Sequence, residues 1–129
     1  MADGNQTSPN AVADLDVVGV GNAIVDVLAE VDDAFIVEHD LAKGAMTLID
    51  TERALELYAA MPPGLEESGG SAANTMVGVA SFGGSAAYVG KVADDFLGEV
   101  FRRDMRHVGV GFDVLGVSGA EPTARCLIQ

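Results

Sequence analysis

The sequence contains no tryptophan and a single cysteine, and its 7 basic residues are far outnumbered by 20 acidic ones. Each shortage removes a class of function. A lone Cys126 cannot form an internal disulfide, and such usage fits a reducing compartment. Aromatic residues are only 5% of the chain, too few for a platform on which nucleobases stack. A formal charge of -13 repels a polyanion, because binding to a phosphate backbone rests on Lys and Arg. Nucleic acid is therefore not an expected partner, and the charge reads as a solubilising surface. No apolar run approaches the ~20 residues of a membrane-spanning helix, so no membrane partner is expected.

Other absences narrow the chemistry further. No Cys/His cluster has metal-ligand spacing, and no G-x-x-x-x-G-K-S/T loop is present, which excludes a Walker-type phosphate cradle. His39 and His107 stand apart, and His107 reads as a cation at a helix C-terminus rather than a catalyst. Cys126 has no neighbouring His to activate it and reads as a packed thiol. Residues 1–14 are polar and carry no signal-peptide pattern; a disordered tail and a cytoplasmic location are expected.

What is present is an apolar chain of 129 residues, 49% hydrophobic with a mean hydropathy of +0.28, enough for one domain or part of one. Leu15–Gly21 reads as a strand buried on both faces. Ala23–Val31 follows as a second extended run, in which Asn22, Ile24 and Asp26 share one face by parity. In a straight strand Asn22 and Asp26 would lie roughly 13 Å apart, at ~3.3 Å per residue. Residues 32–41 are expected to be irregular or a short helical turn, and Gly44–Ile49 a strand. Asp50 or Thr51 caps a helix through Met61, ended by Pro62-Pro63-Gly64.

Ser71–Phe82 is apolar on nearly every side, which predicts a buried helix, stopped by Gly83-Gly84. Ser85–Val92 reads as a strand. Asp94 or Asp95 caps the next helix, whose stripe is Phe96, Leu97, Val100, Phe101, Met105 and Val108, with Gly109 ending it. Phe112–Val117 and Thr123–Gln129 complete the strands. The chain stops inside the last one, so a piece of a longer protein is expected. The alternation predicts an α/β fold, with Leu15–Gly21, Ser85–Val92 and Phe112–Val117 in one parallel sheet.

Two motifs carry chemistry. Gly69-Gly70-Ser71-Ala72-Ala73-Asn74 places bare glycine backbone before a helix whose first-turn N–H groups are unpaired, with Asn74 offering a donor and an acceptor. The plainer alternative is a tight turn with Ser71 as N-cap. Gly19-Val-Gly-Asn22-Ala-Ile-Val-Asp26 sets an amide and a carboxylate at the end of an apolar strand. Asp26 needs a partner if buried, or else faces water from an edge strand. Together the motifs suit a polyhydroxylated ligand, whose hydroxyls donate and accept. A dinucleotide fingerprint is disfavoured, because its third glycine would fall at Ile24 and no helix follows.

In order and spacing, these motifs resemble those of the ribokinase-like, PfkB-type carbohydrate and nucleoside kinases, in particular their adenosine-kinase-like branch. Lys43-Gly-Ala-Met-Thr-Leu-Ile-Asp50, Phe82-Gly-Gly-Ser85, Gly90-Lys-Val-Ala-Asp-Asp-Phe-Leu-Gly98 and Pro122-Thr-Ala-Arg-Cys126 extend the resemblance over residues 15–129. Met76 and Ala93 depart from the family's pattern, which has smaller residues there. The resemblance implies the N-terminal part of a Rossmann-type three-layer core with a small β-lid, its strands near 26–31, 45–49 and 123–129.

The resemblance further implies that Asn22, Asp26, Gly69, Gly70 and Asn74 hold sugar hydroxyls, and that Ile24 and Cys126 reach a nucleoside base. It implies ATP and Mg2+ as cofactors of the whole enzyme. The family's Gly-Ala-Gly-Asp-type motif, with its general base and anion hole, has no counterpart in this sequence, so no catalytic or metal residue and no ATP site are expected within it. Phosphoryl transfer to a ribose or sugar hydroxyl follows, with adenosine as the leading acceptor. The alternatives are a ribose- or fructose-type sugar kinase and a non-catalytic sugar-binding module. A homodimer through the lid is a possible assembly.

Overall fold

A computed structural model describes residues 14–119 and 121–129. The expected tail over 1–14 lies, but for Asp14, outside the described residues. Nine elements follow in order: β1 (Val17–Val20), β2 (Ile24–Leu28), α1 (Asp33–Glu38), α2 (Thr51–Ala60), β3 (Leu65–Gly69), α3 (Ser71–Ser81), β4 (Ala86–Val89), α4 (Phe96–His107) and β5 (Ala124–Ile128). They form an α/β fold with two sheets. In one, β1 pairs parallel with β4; in the other the order is β3-β2-β5, with β3 antiparallel and β5 parallel to β2.

Local signals set most helix starts. Asp50 accepts from the Arg53 N–H and Asp95 from the Gly98 N–H, each at 2.8 Å, so α2 and α4 begin on carboxylate caps. Helix α3 differs. Its N-cap is Gly70, at φ 95°, and no side chain caps it; Ser71 is the first helical residue. Nor is α3 buried all round: Ala73 and Met76 are buried, while Val77, Val79 and Ala80 are half-buried. It lies on one side of the β1–β4 pair, where Gly19 faces Met76 so closely that a Cβ would stand 2.8 Å from the methionine Cγ. On the other side Val18 and Val20 are exposed.

The main core gathers where α4 meets both sheets. Leu97, Val100, Phe101 and Met105 of α4 are buried with Val25 and Val27 of β2, Tyr88 of β4, and Phe112. The rings of Tyr88, Phe101 and Phe112 form a cluster with centroids 5.2–5.9 Å apart.

Two expected strands are not formed. Gly44–Ile49 has no regular structure, and Met46 and Leu48 are 81% and 89% exposed. Strand preference expresses itself only on a half-buried surface, and this segment has none to pack on. Its place in the small sheet belongs to Leu65–Gly69, whose Leu-Glu-Glu-Ser-Gly sequence carries little strand preference. Pairing along the whole of β2 holds it, and the Asp104 carboxylate accepts the Ser68 N–H at 2.8 Å from the far side.

Phe112–Val117 likewise forms no ladder; the isolated bridges here are Ala87 with Gly111, just ahead of it, and Ala93 with Val117, at its end. Between them Phe112 turns into the aromatic cluster, and the backbone at Gly116 comes so close to Ala93 that a Cβ would stand 2.8 Å from its carbonyl oxygen. The parallel pairing of β1 with β4 is as expected; the third strand is reduced to these contacts.

The two sheets are tied together at Asp95. Its Oδ1 accepts from the Gly98 N–H at 2.8 Å and from the Thr123 hydroxyl at 2.6 Å, and its Oδ2 accepts from the Thr123 N–H at 2.9 Å. Thr123, just ahead of β5, is buried, and its Oγ1 accepts from the Ala93 N–H at 2.9 Å. Burial pushes the Asp95 carboxyl up. The hydrogen bonds from Thr123 and Gly98, with Arg125 nearby, outweigh it and hold the carboxyl below the usual range. A group depressed in this way stabilises the fold above its unfolded pKa of about 3.9, and that stability is lost as pH falls through the folded value. Replacing Asp95→Ala in the full-length protein is expected to cost about 2–4 kcal/mol at neutral pH, by urea denaturation, from three lost charge-assisted bonds. The difference from wild type should shrink on acidification below about pH 4. A constant difference down to pH 2 would remove the carboxylate from this role.

Candidate functional site

The site is assembled around β2. Its alternate residues Val25 and Val27 face the core, leaving Ile24, Asp26 and Leu28 on the opposite face. Register then sets their neighbours in three rows. Ile24 lies between Gly69 and Ala124, Asp26 between Glu67 and Cys126, and Leu28 between Leu65 and Ile128.

Asp26 is thus on a central strand, not an edge, which overturns the water-facing edge alternative. It is half-buried and has no cationic partner among the described residues. Its carboxylate leans over Gly69. A Cβ there would stand 2.3 Å from Oδ2 and 2.6 Å from Cγ, so only glycine leaves room for it.

The chain between β1 and β2 carries Asn22, which precedes the strand and is exposed. Its carbonyl oxygen lies against Gly70, 2.8 Å from where a Cβ would be. The positive φ of Gly70 turns the chain from β3 into α3 and leaves the first-turn N–H groups of α3 without a side-chain cap. Acceptors on Asp26 and donors on α3 are thereby adjacent, joined through Gly69-Gly70.

Asn74 is placed differently. One turn into α3, its N–H donates to the Gly70 carbonyl at 2.9 Å. It lines a groove of about 360 Å3 along the outer edge of β3, with Glu67, Ser68, Asp104 and His107 among its neighbours. Four of the expected residues, Asn22, Asp26, Gly69 and Gly70, therefore converge through backbone and carboxylate contacts, while Asn74 borders the adjoining groove.

Of the positions expected to reach a base, both Ile24 and Cys126 share the face of Asp26. Cys126 is exposed rather than the packed thiol expected; partial desolvation at the sheet still pushes its thiol up, and the Asp26 charge adds to it. Glu67, directly across from Asp26, was not singled out from the sequence, because its strand was not. The turn signal Pro62-Pro63-Gly64 was the only pointer to a returning chain there.

The histidines lie elsewhere. His39 follows α1 with its ring 4.2 Å from that of Phe35, and His107 ends α4. Among the described residues no group of three or more His, Cys, Asp or Glu side chains is placed to hold a metal ion.

Comparison with known proteins gives this arrangement a family context. The family model for pfkB family carbohydrate kinases matches residues 40–129. The structure of adenosine kinase from Sinorhizobium meliloti is 55% identical, covers 88% of this chain and 35% of its own, and superposes with a TM-score of 0.73. That of a probable sugar kinase from Rhizobium etli CFN 42 is 50% identical, with coverages of 88% and 34% and the same TM-score of 0.73. Adenosine kinase 2 of Arabidopsis thaliana is 28% identical over 115 residues, which are 84% of this chain. The chain spans about a third of the length of these relatives, 33–35%.

The proximity of Asp26 to Cys126 is measurable without any ligand. Asp26→Asn removes the charge that helps raise the thiol, so the Cys126 pKa is expected to fall. Peptide-resolved alkylation across a pH series reads it directly, since the thiolate is the reacting form. An unchanged or higher thiol pKa in the variant would place the carboxylate away from Cys126.

Proposed function

Because this chain belongs to the pfkB family of carbohydrate kinases, we propose that the protein containing it transfers the γ-phosphoryl of Mg-ATP to a hydroxyl of a ribose-containing acceptor, adenosine first. These residues hold that acceptor. The observation that carries the reading is the Asp26 carboxylate, without a cationic partner among the described residues, lying over Gly69 beside the uncapped start of α3. Two vicinal hydroxyls can donate to its two oxygens and accept from the neighbouring amides. An ionised acceptor is worth more than a neutral one here, because hydrogen bonds to charge are the stronger kind.

Asn22 and Asn74 complete the hydroxyl contacts from either side in this reading. Ile24 and Cys126, on the same sheet face, meet the rest of the acceptor, and a base attached to the ribose fits that face. The kinship with an adenosine kinase at 55% identity supports the nucleoside. The probable sugar kinase at 50% identity keeps a plain sugar as the second reading.

Phosphoryl transfer depends on positioning and on neutralising charge. This chain contributes positioning. In this reading the general base, the anion hole and the ATP–Mg2+ site come from the remainder of the protein, since the family's Gly-Ala-Gly-Asp-type motif has no counterpart in this sequence. No helix among the described residues is long and apolar enough to cross a membrane. A cytoplasmic enzyme acting on a small molecule, with a possible homodimer through the exposed lid strands, is the setting that fits.

An ADP-release assay on the full-length protein with adenosine, ribose and fructose tests the reaction, adenosine being expected to give the highest kcat/KM. Asp26→Ala should lower kcat/KM for the acceptor by about 2–4 kcal/mol, roughly thirty- to a thousandfold. A loss of less than tenfold would take Asp26 out of the acceptor site.

A further inference from the structure

Tyr88 is 1% exposed, yet its hydroxyl has no hydrogen-bond partner among the described residues. Buried hydroxyls are almost always paired, so an orphan calls for a reason. The phenol tip occupies a notch between two glycines. It lies 3.3 Å from where a Gly21 Cβ would stand and 2.9 Å from the corresponding point at Gly90. The Gly21 carbonyl oxygen lies 2.9 Å from that same Gly90 point. Hydroxyl and carbonyl are therefore in one notch, within twice that distance of each other. No backbone hydrogen bond reaches the Gly21 oxygen among the described residues. A donor and an acceptor, both unpaired, face one small space.

The ring cannot swing to find a partner. It is wedged against Phe101 and Phe112, and its own backbone N–H donates to the Gly111 carbonyl at 2.8 Å. Gly21 is freer: half-exposed at the end of β1, it is held by one bond from its N–H to the Val89 carbonyl at 3.1 Å. The next residue is Asn22. Burial pushes the Tyr88 phenol up, so it remains a donor at neutral pH.

We infer that Tyr88 is a positioning residue for the acceptor: when the turn carrying Asn22 settles on a bound sugar hydroxyl, the Tyr88 hydroxyl donates to the Gly21 carbonyl and holds the turn there. The inference rests on the acceptor-site reading above. It ties acceptor affinity to a group that never touches the acceptor. The cost of the orphan hydroxyl is carried by the free protein and relieved in the complex.

Tyr88→Phe in the full-length protein separates this role from simple packing. Without acceptor, the variant should melt at or above the wild-type temperature, because removing an orphan hydroxyl removes its cost. With adenosine or ribose, its acceptor KM should rise at least fivefold while kcat and the KM for ATP stay within twofold. An unchanged acceptor KM would overturn the inference, and so would a lower ligand-free melting temperature, which would mean that the hydroxyl is already paired. If the wild-type protein phosphorylates neither acceptor, the kinase reading fails and takes this role with it. Wild-type turnover with an unaltered Tyr88→Phe KM refutes the role of Tyr88 alone.

Discussion

Strand β2 is hydrogen-bonded along both edges, and the candidate site depends on that. With β3 antiparallel on one side and β5 parallel on the other, its register is closed. A slip of one residue would send Val25 and Val27 out of the core and Asp26 into it, at the cost of burying an unpaired charge. The hydrophobic demand of the core thus decides where the carboxylate points. The same register brings Gly69 under it and Cys126 beside it.

Glycines make the second layer of the arrangement. Three chain segments approach more closely than side chains would allow: β3 under Asp26 at Gly69, the Asn22 turn against Gly70, and the Tyr88 ring in the notch of Gly21 and Gly90. Each is a place where a missing Cβ lets backbone or a polar tip come near the strand ends. The positive φ of Gly70 does more, since it both turns the chain and leaves the start of α3 open. Backbone donors, a carboxylate and bare backbone gather there, which is the combination that hydroxyl-rich ligands need.

Asp95 keeps the two sheets in one frame. It caps α4, binds both the N–H and the hydroxyl of Thr123, and so fixes the start of β5 against the helix that packs on β2 and β3. Asp104, later on the same helix, takes the Ser68 N–H at the opposite edge. One helix thereby clamps both outer strands of the small sheet through carboxylates, and the central strand is held between them.

The sequence by itself determined the elements whose signals are local. The starts of α2 and α4 were legible to within one residue, Asp50 or Thr51 and Asp94 or Asp95, because a cap bond reaches only three residues along the chain, and the structure takes Asp50 and Asp95. The apolar stripe of α4 names its buried face before any partner is known. The parallel strands β1 and β4 were legible as apolar runs bounded by glycine, and the ordered motifs were enough to indicate the family. Only the tertiary structure decided the rest. Leu65–Gly69 became a strand against its own preference while the better-looking Gly44–Ile49 did not, because a strand exists through its partner and not through its residues. Phe112–Val117 yielded its ladder to the aromatic cluster that claimed Phe112. Whether Asp26 faces water, core or a neighbour was likewise open in one dimension. Strand order and a glycine two positions past Glu67 settled it, since a carboxylate's surroundings are made of residues distant in the chain.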